Sequence, residues 1–212
     1  MRRSLFVAAY IVIVLLALLV RYMPASSTAH LPPFLDALEY STSALSLYVH
    51  GAYAITINHV PYPPHYPFGF PLLLTPALAL FGPVAYNALY PVLFLSVATV
   101  ALTMLTTRKL FGDGAALAAG LVVAMGRQHL VSSQEIMSDG AGALLTLLAA
   151  YFVLPALDKP VRQRYLFAAG FSAGLAVAMR YSQAVLLAAL MVAVVLALRR
   201  SPRQALRSLV IG

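Results

Sequence analysis

The sequence predicts an all-α bundle of membrane-spanning helices. Composition and patterning both lead there. Hydrophobic residues make up 62% of the chain and charged residues 9%, where a soluble domain carries about a quarter charged and near half apolar. Mean hydropathy is +0.88. The apolar residues fall in runs close to the ~20 residues a helix needs to cross hydrocarbon, and the basic residues sit in short clusters between the runs. The formal charge of +8 therefore does not indicate nucleic acid; cations between apolar segments set topology instead. There is no Cys, which excludes disulfides and thiolate metal sites.

Leu5 to Pro24 supplies the first span, flanked by Arg2 and Arg3 before it and Arg21 near its end. No small-residue cleavage site follows, so the run reads as a retained signal anchor. Leu72 to Leu80 is apolar but interrupted by Pro76 and too short to cross alone. Val84 to Thr107 is the second span, stopped by Arg108-Lys109, and Ala115 to Leu130 the third, ending at Arg127-Gln128-His129. After the polar link Ser132 to Glu135 comes a fourth, Asp139 to Leu157, closed by Asp158, Lys159, Arg162 and Arg164. Tyr165 to Met179 is the fifth, ending at Arg180; Ala184 to Leu198 is the sixth, stopped by Arg199-Arg200. Ser208 to Gly212 opens as a seventh helix would, so the chain, a single module over 1–212, is expected to be part of a longer protein.

The positive-inside rule orients these spans. With the N-terminus in the cytoplasm, Arg2, Arg3, Arg108, Lys109, Lys159, Arg162, Arg164, Arg199, Arg200, Arg203 and Arg207 lie inside. Arg21, Arg127 and Arg180 lie outside, with His30, His50, His59, His65 and His129. A multi-pass protein of the cell membrane is expected, with residues 25–83 as a long external loop.

From Asp36 to Gly82 that loop contains no Lys or Arg. Leu38, Leu45 and Tyr48 recur at helical spacing, with Ser41, Thr42 and Ser46 on another side, which predicts a short amphipathic helix on the membrane surface stopped at Gly51. From Asn58 to Pro76 the prolines predict an ordered coil. Asp36-x-x-Glu39 has capping-box spacing, in which Asp36 would cap the helix and Glu39 reach back to it. Asp139, opening a helix, could likewise be a cap.

In order and spacing the chain resembles the membrane glycosyltransferases of the GT-C type, among them the protein O-mannosyltransferases and the lipid A aminoarabinose transferase. Asp36-Ala37-Leu38-Glu39-Tyr40 is similar to the D-x-x-E-Y or D-E-x-x-Y signature of their first external loop. Ala44, Leu45, Gly51 and Tyr53 match its A-x-x-L…G-x-Y continuation. Tyr62-Pro63-Pro64-His65-Tyr66-Pro67-Phe68-Gly69-Phe70-Pro71-Leu72-Leu73 resembles the Y-P-P-G-x-P-L-L element, with Phe68 where a second proline is usual. Leu80-Phe81-Gly82, Met137-Ser138-Asp139 and Gly174-Leu175 to Arg180-Tyr181 match further elements in the same order.

The resemblance implies transfer of a sugar from a polyprenyl-phosphate donor to a lipid, glycan or protein acceptor at the outer face. It carries the general-base role to Asp36. Ala37 stands where the commoner form has Glu, leaving Glu39 as the nearby second carboxylate. It also places Asp139 at the catalytic cavity, to orient the acceptor or to help bind a divalent cation, which relatives use variably.

The chemistry is compatible. An attacking hydroxyl needs one base at hydrogen-bond distance, whereas a glycosidase needs two paired carboxylates; a lipid phosphate leaves as an anion and needs cations. Arg180, Arg127 and Arg21 can supply these by bidentate binding, or can snorkel to headgroups. Tyr53, Tyr62, Tyr66 and Phe68, with His65 among them, could stack on sugar faces or form an interfacial aromatic belt. The histidines lack a recognisable zinc spacing. Two other classes fit the composition: a membrane transporter, which would place ionisable groups at mid-membrane on repeated broken helices, and a non-catalytic assembly subunit, which would need no loop carboxylate.

Overall fold

The computed structural model describes residues 3–28, 35–57, 60–156 and 163–199. Arg2, His30, His59, Asp158, Lys159, Arg162, the cations after Arg199 and the expected seventh helix lie outside the described residues. Among the described residues eight α-helices follow in order: α1 Arg3–Thr28, α2 Leu35–His50, α3 Gly69–Phe81, α4 Leu89–Met125, α5 Arg127–Ser132, α6 Asp139–Ala156, α7 Gln163–Met179 and α8 Ala184–Arg199. Short 3-10 turns, Ala85–Ala88 and Tyr181–Gln183, precede α4 and α8.

Two stretches, Arg3–Met23 and Ala85–Met125, are long and apolar enough to cross a membrane. The second is not one rod. Gly112 takes φ 84° and ψ −174° inside α4, a conformation that only glycine adopts freely. A Cβ on Gly120 would lie 2.4 Å from the Met104 side chain, yet residues sixteen apart in a straight helix stand about 24 Å apart. The chain therefore folds back at Gly112 into two arms, 89–111 and 113–125. These are the second and third expected spans, the third ending at Met125 rather than Leu130. Gly126 is extended there, and residues 127–132 form the separate α5.

α1 lies along both arms. Phe6, Ile13 and Ala17 pack with Val100, Met104, Ala116 and Ala124. Its opposite face carries exposed Leu5, Val7, Ile11, Val12, Leu15, Leu18 and Leu19. A helix apolar on all sides suits lipid rather than water. At the Gly112 end, Arg108 bonds Asp113 at 2.8 Å and lies over the Phe6 ring at 4.0 Å, while Lys109 sits 3.2 Å from the Tyr151 ring centre. The basic residues of this end are thus joined to α1 and α6. α6 packs mainly on α7 and on α4.

The first loop departs from expectation in two ways. First, the expected coil contains a strand: Val60–Tyr62 (β2) pairs antiparallel with Ile55–Ile57 (β1), with Ile55 opposite Tyr62. Second, α3 is helical through its prolines. Pro71 falls in the first turn, where its missing N–H has no partner to lose. Pro76 leaves the Leu72 carbonyl without its helical donor, and the Thr75 hydroxyl takes that carbonyl at 2.8 Å. The helix α2 buries its small-residue face, Ala37, Ser41, Ser43, Ala44 and Ser46 with Tyr40, while Leu35, Leu38 and Tyr48 stay exposed and Leu45 packs partly buried against the core. Small residues allow close approach to α3, and Ser41 and Ser46 satisfy their hydroxyls on the carbonyls of Leu38 and Ala52. Gly51 ends α2 at φ 65°, as its position predicts.

Candidate active site

Four segments meet around Tyr40. α2 brings Asp36 and Glu39; the Pro-rich turn before α3 brings His65 and Tyr66; Ser138 and Asp139 open α6; Arg180 follows α7. Tyr40 is 2% exposed. Its hydroxyl shares a 2.9 Å hydrogen bond with Ser138, and its ring lies 4.8 Å from that of Tyr66 and edge-on to Phe70 at 4.9 Å. Burial pushes the Tyr40 phenol up; the Ser138 bond and Arg180 oppose this, and Asp36 and Asp139 add to it. Asp36, Asp139 and Arg180 thus all act on one side chain, although α2 and α6 are about a hundred positions apart in sequence.

Asp36 is half-buried, in the first turn of α2. Burial raises the Tyr66 phenol to about 12, and the nearby Asp36 carboxylate adds to this. Glu39 does not reach back to cap α2. One of its oxygens accepts the backbone N–H of His65 at 2.6 Å and of Tyr66 at 3.2 Å. The capping-box reading is therefore replaced by a long-range bond. His65 is exposed, with its ring edge-on to Tyr66. The Tyr53 hydroxyl donates to the Tyr66 carbonyl at 2.5 Å, and burial with the Glu39 charge raises its phenol to about 12.

Arg180 and Asp139 form an ion pair, each partly exposed. The Pro-rich turn is pressed against this end of α7: a Cβ on Gly69 would fall 2.4 Å from the Ala178 carbonyl oxygen. Gly69→Ala should accordingly cost ~1–3 kcal/mol through overpacking against backbone. A melting temperature equal to wild type in detergent would show that the contact is not maintained.

A cavity of about 260 Å³ adjoins Asp139 on its other side, lined by Val92, Ser96, Gln128, His129, Ser132, Ser133, Gly140 and Ala143. Asp36 and Arg180 are not among its lining residues; they gather with Asp139 around Tyr40 instead. Arg21, expected with Arg180 as a phosphate ligand, stands apart from the cluster. It is fully buried beside this cavity's Ser96 and His129. Its donors go to Ser96, His129 and the carbonyls of Ala17, Val123 and Ala124. Arg127 is exposed at the start of α5 and makes no ion pair among the described residues. No group of three or more His, Cys, Asp or Glu there could hold a metal ion, so the divalent cation that the resemblance allows has no three-ligand site among them.

Sequence reasoning did not single out Tyr40 or Ser138 as site residues. Tyr40 and Ser138 lie inside the quoted D-x-x-E-Y and M-S-D elements; their bond to each other leaves no sequence signal.

No curated protein sequence matches the chain significantly. Its fold is similar to the crystal structure of ArnT from Cupriavidus metallidurans in the apo state, with TM-score 0.63 and 19% identity, over 95% of this chain and 42% of that one. The chain thus spans less than half the length of that protein, and the likeness shows the GT-C fold. The profile of the dolichyl-phosphate-mannose-protein mannosyltransferase family matches residues 65–211, from the Pro-rich turn through α8. Asp36 and Glu39 precede that match; α2 joins it through the bonds of Glu39 to His65 and Tyr66 and of Tyr40 to Ser138. On that match, over well more than half its length, the chain belongs to the dolichyl-phosphate-mannose-protein mannosyltransferase family.

Proposed function

We propose that the chain is the catalytic part of a membrane glycosyltransferase that moves a sugar from a polyprenyl-phosphate donor to an acceptor hydroxyl. Asp36 accepts the proton of the acceptor hydroxyl, the freed oxygen attacks the sugar C1, and the C1–O bond to phosphate breaks. The electron pair leaves with the polyprenyl phosphate, already an anion, so a single base suffices. The observation that carries this reading is the meeting of Asp36 with the Asp139–Arg180 pair around Tyr40. Such a constellation is unnecessary in a non-catalytic subunit, and a transporter would hold its ionisable groups in mid-membrane.

Arg180 serves as the phosphate ligand in this scheme. Asp139 engages one of its nitrogens and orients a planar fork suited to phosphate oxygens. The N-terminus lies in the cytoplasm and α2 on the outer surface, where exposed Leu35, Leu38 and Tyr48 can meet headgroups. The segregation of Arg108, Lys109 and Arg164 from the Asp36 cluster supports that orientation. Using dolichyl-phosphate mannose as donor, Arg180→Ala should raise its KM about 10- to 100-fold, the worth of a charge-assisted bond. An unchanged donor KM would reassign Arg180 to structure.

A further inference from the structure

We propose that Glu39 is a positioning residue, holding the His65–Tyr66 backbone over α2 so that the Tyr66 ring stays against Tyr40 and beside Asp36. This rests on the reading of Asp36 as base and removes Glu39 as a second catalytic carboxylate.

The turn it holds is poor in ways to hold itself. Pro63, Pro64 and Pro67 have no N–H, so His65 and Tyr66 carry the donors between them. In a segment outside helix and strand those donors need an outside acceptor. Glu39 Oε1 accepts both. Glu39 lies three positions beyond Asp36, hence on the same face of α2. The clamp and the group it serves therefore move as one body. The Tyr66 peptide is fixed from its other end as well, since Tyr53 bonds its carbonyl. The Tyr66 ring is backed by Tyr40, itself bonded to Ser138. A ring so confined stays beside Asp36, which lies four positions before Tyr40 and hence on its face of α2.

Rescue is the discriminating test, because a backbone clamp needs only an acceptor oxygen, which glutamine keeps. With dolichyl-phosphate mannose as probe and the protein in membranes, Glu39→Ala should lower kcat about 100-fold, the loss expected when a reacting group is misplaced by about 1 Å. The donor KM should hardly change, and Glu39→Gln should recover most of the lost kcat. A second readout is independent of turnover: 3-fluorotyrosine placed at Tyr66 and followed by fluorine NMR. Its resonance should shift in Asp36→Asn and in Glu39→Ala but stay near wild type in Glu39→Gln. Glutamine as damaging as alanine in kcat would overturn the inference, as would a fluorine resonance indifferent to Glu39→Ala. Should wild type leave this donor untouched, the donor assignment fails, and the fluorine series alone decides for or against the clamp.

Discussion

Asp36→Asn should lower sugar transfer about 100- to 10,000-fold, the range for loss of a general base. The substitution is nearly isosteric. The junction between α2 and the Pro-rich turn is held by Glu39 and should persist, and α2 keeps its small-residue face on α3. What disappears is the capacity to take a proton from an attacking hydroxyl. The measurement is release of mannose from dolichyl-phosphate mannose in membranes, with donor binding and melting temperature recorded in parallel. The expected pattern is lost kcat with donor affinity and stability near wild type. Turnover at the wild-type rate would remove Asp36 from the chemistry, and with it the transfer mechanism proposed above. A fall in turnover accompanied by a collapse in stability would instead make Asp36 a support for the loop.

The helices were legible in the sequence because each begins or ends at a feature with a local cause. The basic pair Arg108-Lys109 and then Gly112 divide what would otherwise be one long apolar rod, and the chain turns there. Gly51 stops α2, and Asp139 opens α6. Legibility fails where the deciding partner is remote. The proline rule reads Leu72 to Leu80 as broken, but a hydroxyl one residue away repairs the carbonyl that Pro76 strands. Capping-box spacing assigns Glu39 to its own helix, yet its partners stand 26 and 27 positions on. The amphipathic pattern of α2 marks two faces correctly and cannot say which one packs. In a membrane protein large apolar residues need not turn inward, and serines that satisfy themselves on backbone can.

Arg21 is the sharpest case, and it carries the second large expected effect. A cation at the outer end of the first span resembles a phosphate ligand or a snorkelling side chain. Its structure is neither. Ser96 accepts from Nε at 2.6 Å, and the carbonyls of Ala124 and Val123 accept from the terminal nitrogens at 3.1 and 3.4 Å. Those carbonyls belong to the last turn of the 113–125 arm, which ends at Met125. The final carbonyls of a helix lack helical donors, and the negative end of its dipole favours a cation. Arg21 therefore caps one arm of the hairpin while bonding Ser96 on the other, and His129 of α5 accepts a further N–H at 3.0 Å. Because arginine can only donate, His129 must present an unprotonated Nδ1. Arg21→Ala should leave the arm's end without its donors and open a hole between three helices. A loss of ~2–5 kcal/mol is expected from the stranded acceptors and the cavity together, seen as a lower melting temperature and poor recovery from membranes. Arg21→Lys should restore only part of this, since one ammonium cannot span Ser96, His129 and two carbonyls together. If Arg21→Ala melts like wild type but binds dolichyl-phosphate mannose weakly, the guanidinium serves the donor, and the tie between α1, the two arms of α4 and α5 must lie elsewhere.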